Sequence, residues 1–135
     1  MAIAVASDAG LITPIVRSAA RKSLAEISDE ARELVARARE GRLAPHEYQG
    51  GTFSVSNLGM FGVDGLYAIV NPPQVAILGV GRVHARPVAR AGVVAVEPVS
   101  QLTLSADHRV VDGATAARLL GAIRAHLEDP LSLLV

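Results

Sequence analysis

The chain has no cysteine and no tryptophan, and only two phenylalanines and two tyrosines. Without cysteine there is no disulfide, no thiolate metal site and no cysteine nucleophile, a composition that suits a reducing compartment. With so few aromatics, the core falls to Val, Leu, Ile and Ala. An excess of charge is also lacking: thirteen basic and thirteen acidic residues cancel. No basic run stands out, so neither nucleic acid nor an anionic membrane is indicated as a partner. Long hydrophobic runs are absent too, because Pro72-Pro73 interrupts the most apolar region, leaving no stretch to cross a bilayer. Met1 to Asp8 lacks a basic region and meets an acid early, unlike a secretory signal. The four histidines have no acids at ligand spacing, so no metal is expected. What remains is half hydrophobic and 19% charged over 135 residues, the balance of one domain with a real core.

Met1 to Ala6 predicts a strand, followed by a turn at Asp8-Ala9-Gly10 and an extended Leu11–Val16. Ser23-Leu24-Ala25-Glu26 has the spacing of a capping box and opens a helix with the stripe Leu24, Ile27, Ala31, Leu34, Ala38. Gly41 and Pro45 end it, and His46-Glu47-Tyr48-Gln49 reads as a polar loop with a solvated histidine. After Gly50-Gly51, Thr52–Ser56 alternates with period two, Thr52, Ser54 and Ser56 on one face and Phe53 and Val55 on the other. Taken alone, a hydroxyl-bearing face predicts exposure to solvent. The glycines of Leu58–Gly62 permit a close, irregular backbone but lack the spacing of a nucleotide fingerprint. Gln74–Val80 is short and continuously apolar, as a strand buried on both faces would be. Arg82–Arg90, Ala91-Gly92 and Val93–Val96 read as a hairpin, with His84, like His126, at the surface.

The chain's chemistry is concentrated at its last strand-to-helix junction. Gln101 to His108 alternates, placing Leu102, Leu104, Ala106 and His108 on the apolar face. From Ala116 the set Ala116, Leu120, Ile123 and Leu127 follows helical spacing. Between them Asp107-His108-Arg109-Val110-Val111-Asp112-Gly113 offers a histidine at a strand end, a carboxylate four residues on, and a glycine suited to a sharp turn. A histidine at the rim of a core can keep a ring nitrogen free to accept a proton. Asp112 could fix that ring, hold the turn or cap the helix, and these roles are compatible.

His108-Arg109-Val110-Val111-Asp112-Gly113-Ala114 resembles the active-site signature of the dihydrolipoamide acyltransferases, core components of 2-oxo acid dehydrogenase complexes. The same His-x-x-x-Asp-Gly pattern occurs in chloramphenicol acetyltransferase. Two further blocks, Gly50–Gly62 and Val70–Gly79, are similar to segments of the same family in the same order, and the likeness runs over nearly the whole chain. The resemblance implies an α+β fold of the CoA-dependent, chloramphenicol acetyltransferase-like type, a mixed sheet with helices packed on one side. It implies that residues 1–135 are the C-terminal part of an acyltransferase catalytic domain, with its N-terminal portion missing and with no lipoyl or subunit-binding module.

The implied reaction is transfer of an acyl group, most like the acetyl-transferring type, between dihydrolipoamide and CoA. His108 would be the general base, Ser56 the hydroxyl stabilising the oxyanion, and Asp112 an orienting residue that also holds the turn. CoA would be a co-substrate, and lipoamide would come from a lipoyl domain absent from this chain. The implied partners are copies of the chain in a trimer or trimer-based assembly, the lipoyl domain, and other components of the complex. The hydroxyl and the histidine would then come from neighbouring subunits. The setting would be the bacterial cytoplasm, or the mitochondrial matrix in a eukaryote. Two other readings remain: a non-catalytic core or assembly subunit (or truncated fragment), and a chloramphenicol acetyltransferase-like enzyme. The apolar tail Leu131–Val135 and the missing portion predict self-association, with weak or no transfer by the chain alone.

Overall fold

The strand-forming runs resolve into one mixed sheet and two separate two-stranded ribbons. The computed structural model describes residues 1–8 and 10–133; Ala9 of the expected turn, and Leu134 and Val135 of the apolar tail, lie outside them. The four-stranded sheet has the order β1 (Ala2–Ile3), β4 (Phe53–Asn57), β5 (Ala76–Val80), β8 (Leu102–Ala106). β1, β4 and β5 are parallel, and β8 runs antiparallel to β5. The expected strand over Met1–Ala6 is broken after Ile3. Its second piece, β2 (Val5–Ser7), leaves the sheet to pair with β3 (Gly10–Ile12).

β5 has the sequence of a doubly covered parallel strand and is one: Ala76, Ile77, Leu78 and Gly79 are all buried. The rest of the core is Ala2, Val5, Ile15 and Val16, with Leu34 and Ala38 from α1 (Leu24–Arg39). Pro14–Val16 is threaded along β1, exchanging backbone bonds with Met1 and Ile3, while the Ile15 N–H donates to the Glu47 carbonyl.

The capping box forms as predicted: the Ser23 hydroxyl accepts the Glu26 N–H, and the Glu26 carboxylate accepts the Ser23 N–H. At the other end Gly41, at φ +67°, closes α1 by donating to the Ala38 carbonyl, while the Arg42 N–H reaches back to Arg37. Of the predicted stripe, only the C-terminal half is buried, and Leu24 is exposed. The stretch read as a polar loop is instead one helical turn, α2 (Pro45–Tyr48), opened by Pro45 at a first-turn position. Glu47 anchors it, accepting the Ala44 N–H at 2.9 Å and the Arg37 guanidinium. Arg37 holds the Glu47 carboxyl below its ordinary pKa. His46 is exposed, as expected.

The predicted hairpin is β6 (His84–Arg90) and β7 (Val93–Val99), joined by Ala91-Gly92, both in the left-handed region. Two consecutive positive φ values match the right-handed twist of a two-residue hairpin. The ribbon carries Val93, Val94 and Val96 to solvent. α3 (Gly113–Glu128) leans on β8, yet no side chain in it is buried. Among the described residues, no helix is long and apolar enough to cross a membrane.

Candidate functional site

Ser56 is the fourth residue of β4 and half-buried. The hydroxyl face of this strand is only in part the solvated surface that alternation alone predicts: Thr52 is exposed, while Ser54 is buried. Ser54 is 1% exposed, and its Oγ donates to Oε1 of Gln74, which is itself buried. A buried hydroxyl without a partner would be costly, and the pairing with Gln74 removes that cost. Past Ser56 the chain turns sharply: Asn57 Oδ1 accepts the Gly59 N–H at 2.9 Å, and Gly59–Phe61 forms a 3₁₀ turn. Ser56 therefore lies at the edge of an open groove of about 480 Å³, lined by Val5, Leu11, Val35, Val55 and Met60. Arg39 is a charged side chain at its wall.

Behind Ser56 the sheet is thin. Gly79 is its register partner on β5, with Thr103 on the far side, and the Thr103 hydroxyl donates to the Leu66 carbonyl. A Cβ at Gly79 would come within 2.5 Å of that hydroxyl. At Gly81 a Cβ would come within 1.8 Å of the Asp64 carbonyl oxygen. The loop after the 3₁₀ turn is thus pressed directly onto the sheet backbone, and it is pinned there by charge. Arg82 donates to the Asp64 carboxylate, with His84 and Arg86 within ion-pair range. Arg82 is the main reason that carboxyl lies below its ordinary pKa. His84, expected at the surface, is half-buried in this cluster. His126 is exposed, as expected, with its Nδ1 2.8 Å from the Ser132 hydroxyl.

His108 does not lie in the strand. β8 ends at Ala106, the Asp107 N–H still pairs with the Val75 carbonyl, and residues 108–110 form a turn. That turn exists because the Asp107 carbonyl accepts the N–H of both Val110 and Val111, at 3.0 Å each. Alternation carried one step too far put His108 beside the leucines, whereas it is exposed. Gly113 does not make the turn either: it opens α3 without a positive φ.

Asp112 is the N-cap of α3. Its Oδ1 accepts the Thr115 N–H at 2.9 Å and its Oδ2 accepts the Thr115 hydroxyl at 2.8 Å. These bonds, the backbone one foremost, lower its pKa. Both oxygens are thus committed to the helix rather than to the imidazole. Sequence reading passed over Asp107. Its carboxylate accepts the Arg109 backbone N–H at 3.0 Å and the guanidinium at 2.7 Å. The Arg109 side chain first, then its backbone N–H, pull that carboxyl down to about 2. The available signal was its place immediately before the histidine.

Within one chain the structure keeps Ser56 and His108 apart. β5 lies between β4 and β8, and Ala106 is level with Ala76 and so with Phe53. Ser56 is three residues further along β4, and β8 runs the other way. At about 3.3 Å per residue and about 4.8 Å per strand spacing, Ser56 and Ala106 are roughly 14 Å apart, and the chain then leads away. Among the described residues, no group of three or more His, Cys, Asp or Glu side chains is placed to hold a metal.

Residues 1–135 match the family described as 2-oxoacid dehydrogenases acyltransferase (catalytic domain). The chain is 48% identical over 134 residues to the dihydrolipoyllysine-residue acetyltransferase component of the pyruvate dehydrogenase complex of Zymomonas mobilis. That match covers 99% of this chain and 30% of the relative. Among solved structures, it superposes on the dihydrolipoamide acetyltransferase of Azotobacter vinelandii with a TM-score of 0.94 at 38% identity. The superposition covers 99% of this chain and 55% of that one. The structure of a cubic core of the pyruvate dehydrogenase multienzyme complex matches with the same TM-score at 37% identity. The chain thus spans about a third of the length of its curated relatives and about half of the solved catalytic cores. Its mixed sheet with flanking helices is the α+β fold that the motifs implied, and the chain belongs to the 2-oxoacid dehydrogenase acyltransferase (catalytic domain) family.

Proposed function

We propose that the chain carries the two halves of an acetyl-transfer site acting between dihydrolipoamide and CoA, and that each complete site draws its halves from two copies. The observation that carries this is the placement of Ser56 and His108 toward opposite ends of one sheet. A serine hydroxyl and an imidazole so separated cannot act on one carbonyl within a single chain, where reacting groups need to lie about 3 Å apart. Two copies packed head to tail bring one copy's Ser56 end to the other's His108 end, and such a heterologous contact generates a ring where its rotation closes. The residue choice has separate support. The catalytic mechanism investigated in the Azotobacter enzyme concerns a serine, a histidine 52 positions later and an asparagine four beyond that. Ser56, His108 and Asp112 keep the same separations, with an aspartate in the last place.

In this reading the His108 imidazole takes the proton of the dihydrolipoamide thiol. The sulfur lone pair attacks the acetyl-CoA carbonyl, whose C=O electrons move to oxygen. The Ser56 hydroxyl, at the rim of its groove, donates to that oxyanion. The oxyanion collapses, the bond to the CoA sulfur breaks, and the imidazolium returns its proton to the departing thiolate. Neither charge nor atoms are left over. Asp112 contributes by fixing where α3 starts, and hence where the turn ends. The apolar tail, the exposed α3 face and the acetyltransferase relatives favour an assembled core served by lipoyl groups and other components of a 2-oxo acid dehydrogenase complex.

The test is complementation. His108→Ala and Ser56→Ala chains are each expected to lose at least two powers of ten in acetyl transfer from acetyl-CoA to dihydrolipoamide. Co-assembled in equal amounts, they should recover about a quarter of wild-type activity, because one site in four then receives both intact halves. No recovery from a co-assembled mixture would overturn the shared site. A wild-type assembly without detectable transfer would overturn the activity and favour the assembly-subunit reading.

A further inference from the structure

We propose that Asp107 is a positioning residue for the histidine beside it: with Arg109 it builds the turn that presents His108, and the two opposite charges balance each other at the ring. The proposal rests on the reading of His108 as the base. Every polar group of Asp107 is engaged. Its N–H donates to the Val75 carbonyl at 2.9 Å, fastening the turn to the segment entering β5. Its carbonyl accepts the N–H of Val110 and of Val111. Its carboxylate accepts from Arg109 three times over, from the backbone N–H, from Nε at 2.9 Å and from Nη2 at 2.7 Å. The residues on both sides of His108 are therefore tied down, while the imidazole itself is left exposed.

Asp112, the acid that the sequence pattern singles out, is occupied elsewhere by Thr115. The histidine's geometry is consequently set from the preceding residue rather than from four residues on. The other charges nearby are few. Arg118, one turn into α3, donates to the Thr115 hydroxyl, and the facing segment Gln74–Val75 carries no charge. An Asp107 carboxyl held near 2 stays ionised around neutral pH, so the pair presents one constant negative and one constant positive charge.

The experiment follows the His108 ring by NMR titration in the assembled chain, its signals distinguished from those of His46, His84 and His126 with a His108→Gln variant. Asp107→Asn leaves the guanidinium unbalanced, and the titration midpoint should fall by roughly half a pH unit. Arg109→Gln leaves the carboxylate unbalanced, and the midpoint should rise by a similar amount. The double variant should return close to wild type. Midpoints that stay put, or that move the same way in both single variants, would overturn the charge balance. In transfer assays Asp107→Asn should lower kcat roughly tenfold with little change in the KM for CoA, while Arg109→Lys should keep more activity than Arg109→Gln. An unchanged kcat, or a loss confined to KM, would overturn the positioning role. If wild-type chains transfer nothing, the base reading fails on its own, and the titration still decides whether the pair and the ring are coupled.

Discussion

α1 and α3 are each sixteen residues long and each begins at a side-chain cap, yet they use their apolar residues in opposite ways. α1 is rich in charge, carries Arg and Glu through its length, and still buries Leu34 and Ala38. α3 is the more apolar helix, yet it has no fully buried residue: Ala116, Leu120 and Ile123 are half-buried against β8, while Leu127 is 61% exposed and Leu119 is 42% exposed. An isolated chain does not gain by leaving its more hydrophobic helix uncovered, since apolar area is worth about 25 cal/mol per Å² when buried. The difference shows that one face of α1, through Leu34 and Ala38, belongs to the core of this chain. α3, together with the exposed valines of the β6–β7 ribbon, leaves apolar surface uncovered in the single chain. His108 and its turn lie directly before this uncovered helix, and Ser56 lines its groove with Val35 of the covered one.

Five substitutions test that contrast. The largest effect belongs to Leu34→Ala, which opens a cavity beneath α1 and should cost about 2–4 kcal/mol in chemical denaturation of the chain. A cost below about 1 kcal/mol would show that the α1 packing is loose. Removing the caps comes next. Ser23→Ala should cost about 1 kcal/mol, and Asp112→Ala should lower the thermal midpoint by a few degrees while Asp112→Asn, which can still accept the Thr115 N–H, lowers it less.

The Asp112 contribution also carries a pH signature. Its carboxyl is held below its ordinary value when folded, so the stabilisation is present above the unfolded value near 4 and fades as pH falls through the folded one. The midpoints of wild type and Asp112→Ala should therefore converge in acid, and a gap that persisted would assign the effect to packing. The smallest effect is expected for Leu127→Ala, within about 0.5 kcal/mol on a dilute, dissociated chain. The same change should weaken self-association in sedimentation measurements. A loss equal to that of Leu34→Ala in the dissociated chain would place Leu127 in the interior and end the contrast.

The sequence made the covered parts easiest to read. β5 declares itself by four successive apolar residues, α1 by the Ser23/Glu26 box and Gly41, and the ribbon by Ala91-Gly92 between two runs of strand formers. Each signal is local, which is why it survives without knowledge of the fold. The misreadings arose where distant residues decide. Ser54 on the hydroxyl face of β4 is buried because Gln74, twenty positions on, supplies its partner. His108 leaves the strand because the main-chain carbonyl of the residue before it captures the N–H groups three and four positions on, which no pattern of side chains announces. His84 is drawn inward by Asp64, whose place is fixed by Arg82 and by the absence of a side chain at Gly81. For the candidate site, the sequence supplies residue types and spacing, and the structure adds where each residue lies. That Ser56 and His108 lie toward opposite ends of the sheet required the order of the strands.

That strand order has a consequence that can be counted. If every chain offers a hydroxyl at one end of its sheet and a base at the other, a lone chain possesses no complete site. An open string of n chains possesses n − 1, and a closed ring of n possesses n. Specific activity per chain would then climb with each addition and level off only at closure. Turnover itself would thus measure how completely the assembly has closed, and a chain adrift from its ring would be unable to spend acetyl-CoA.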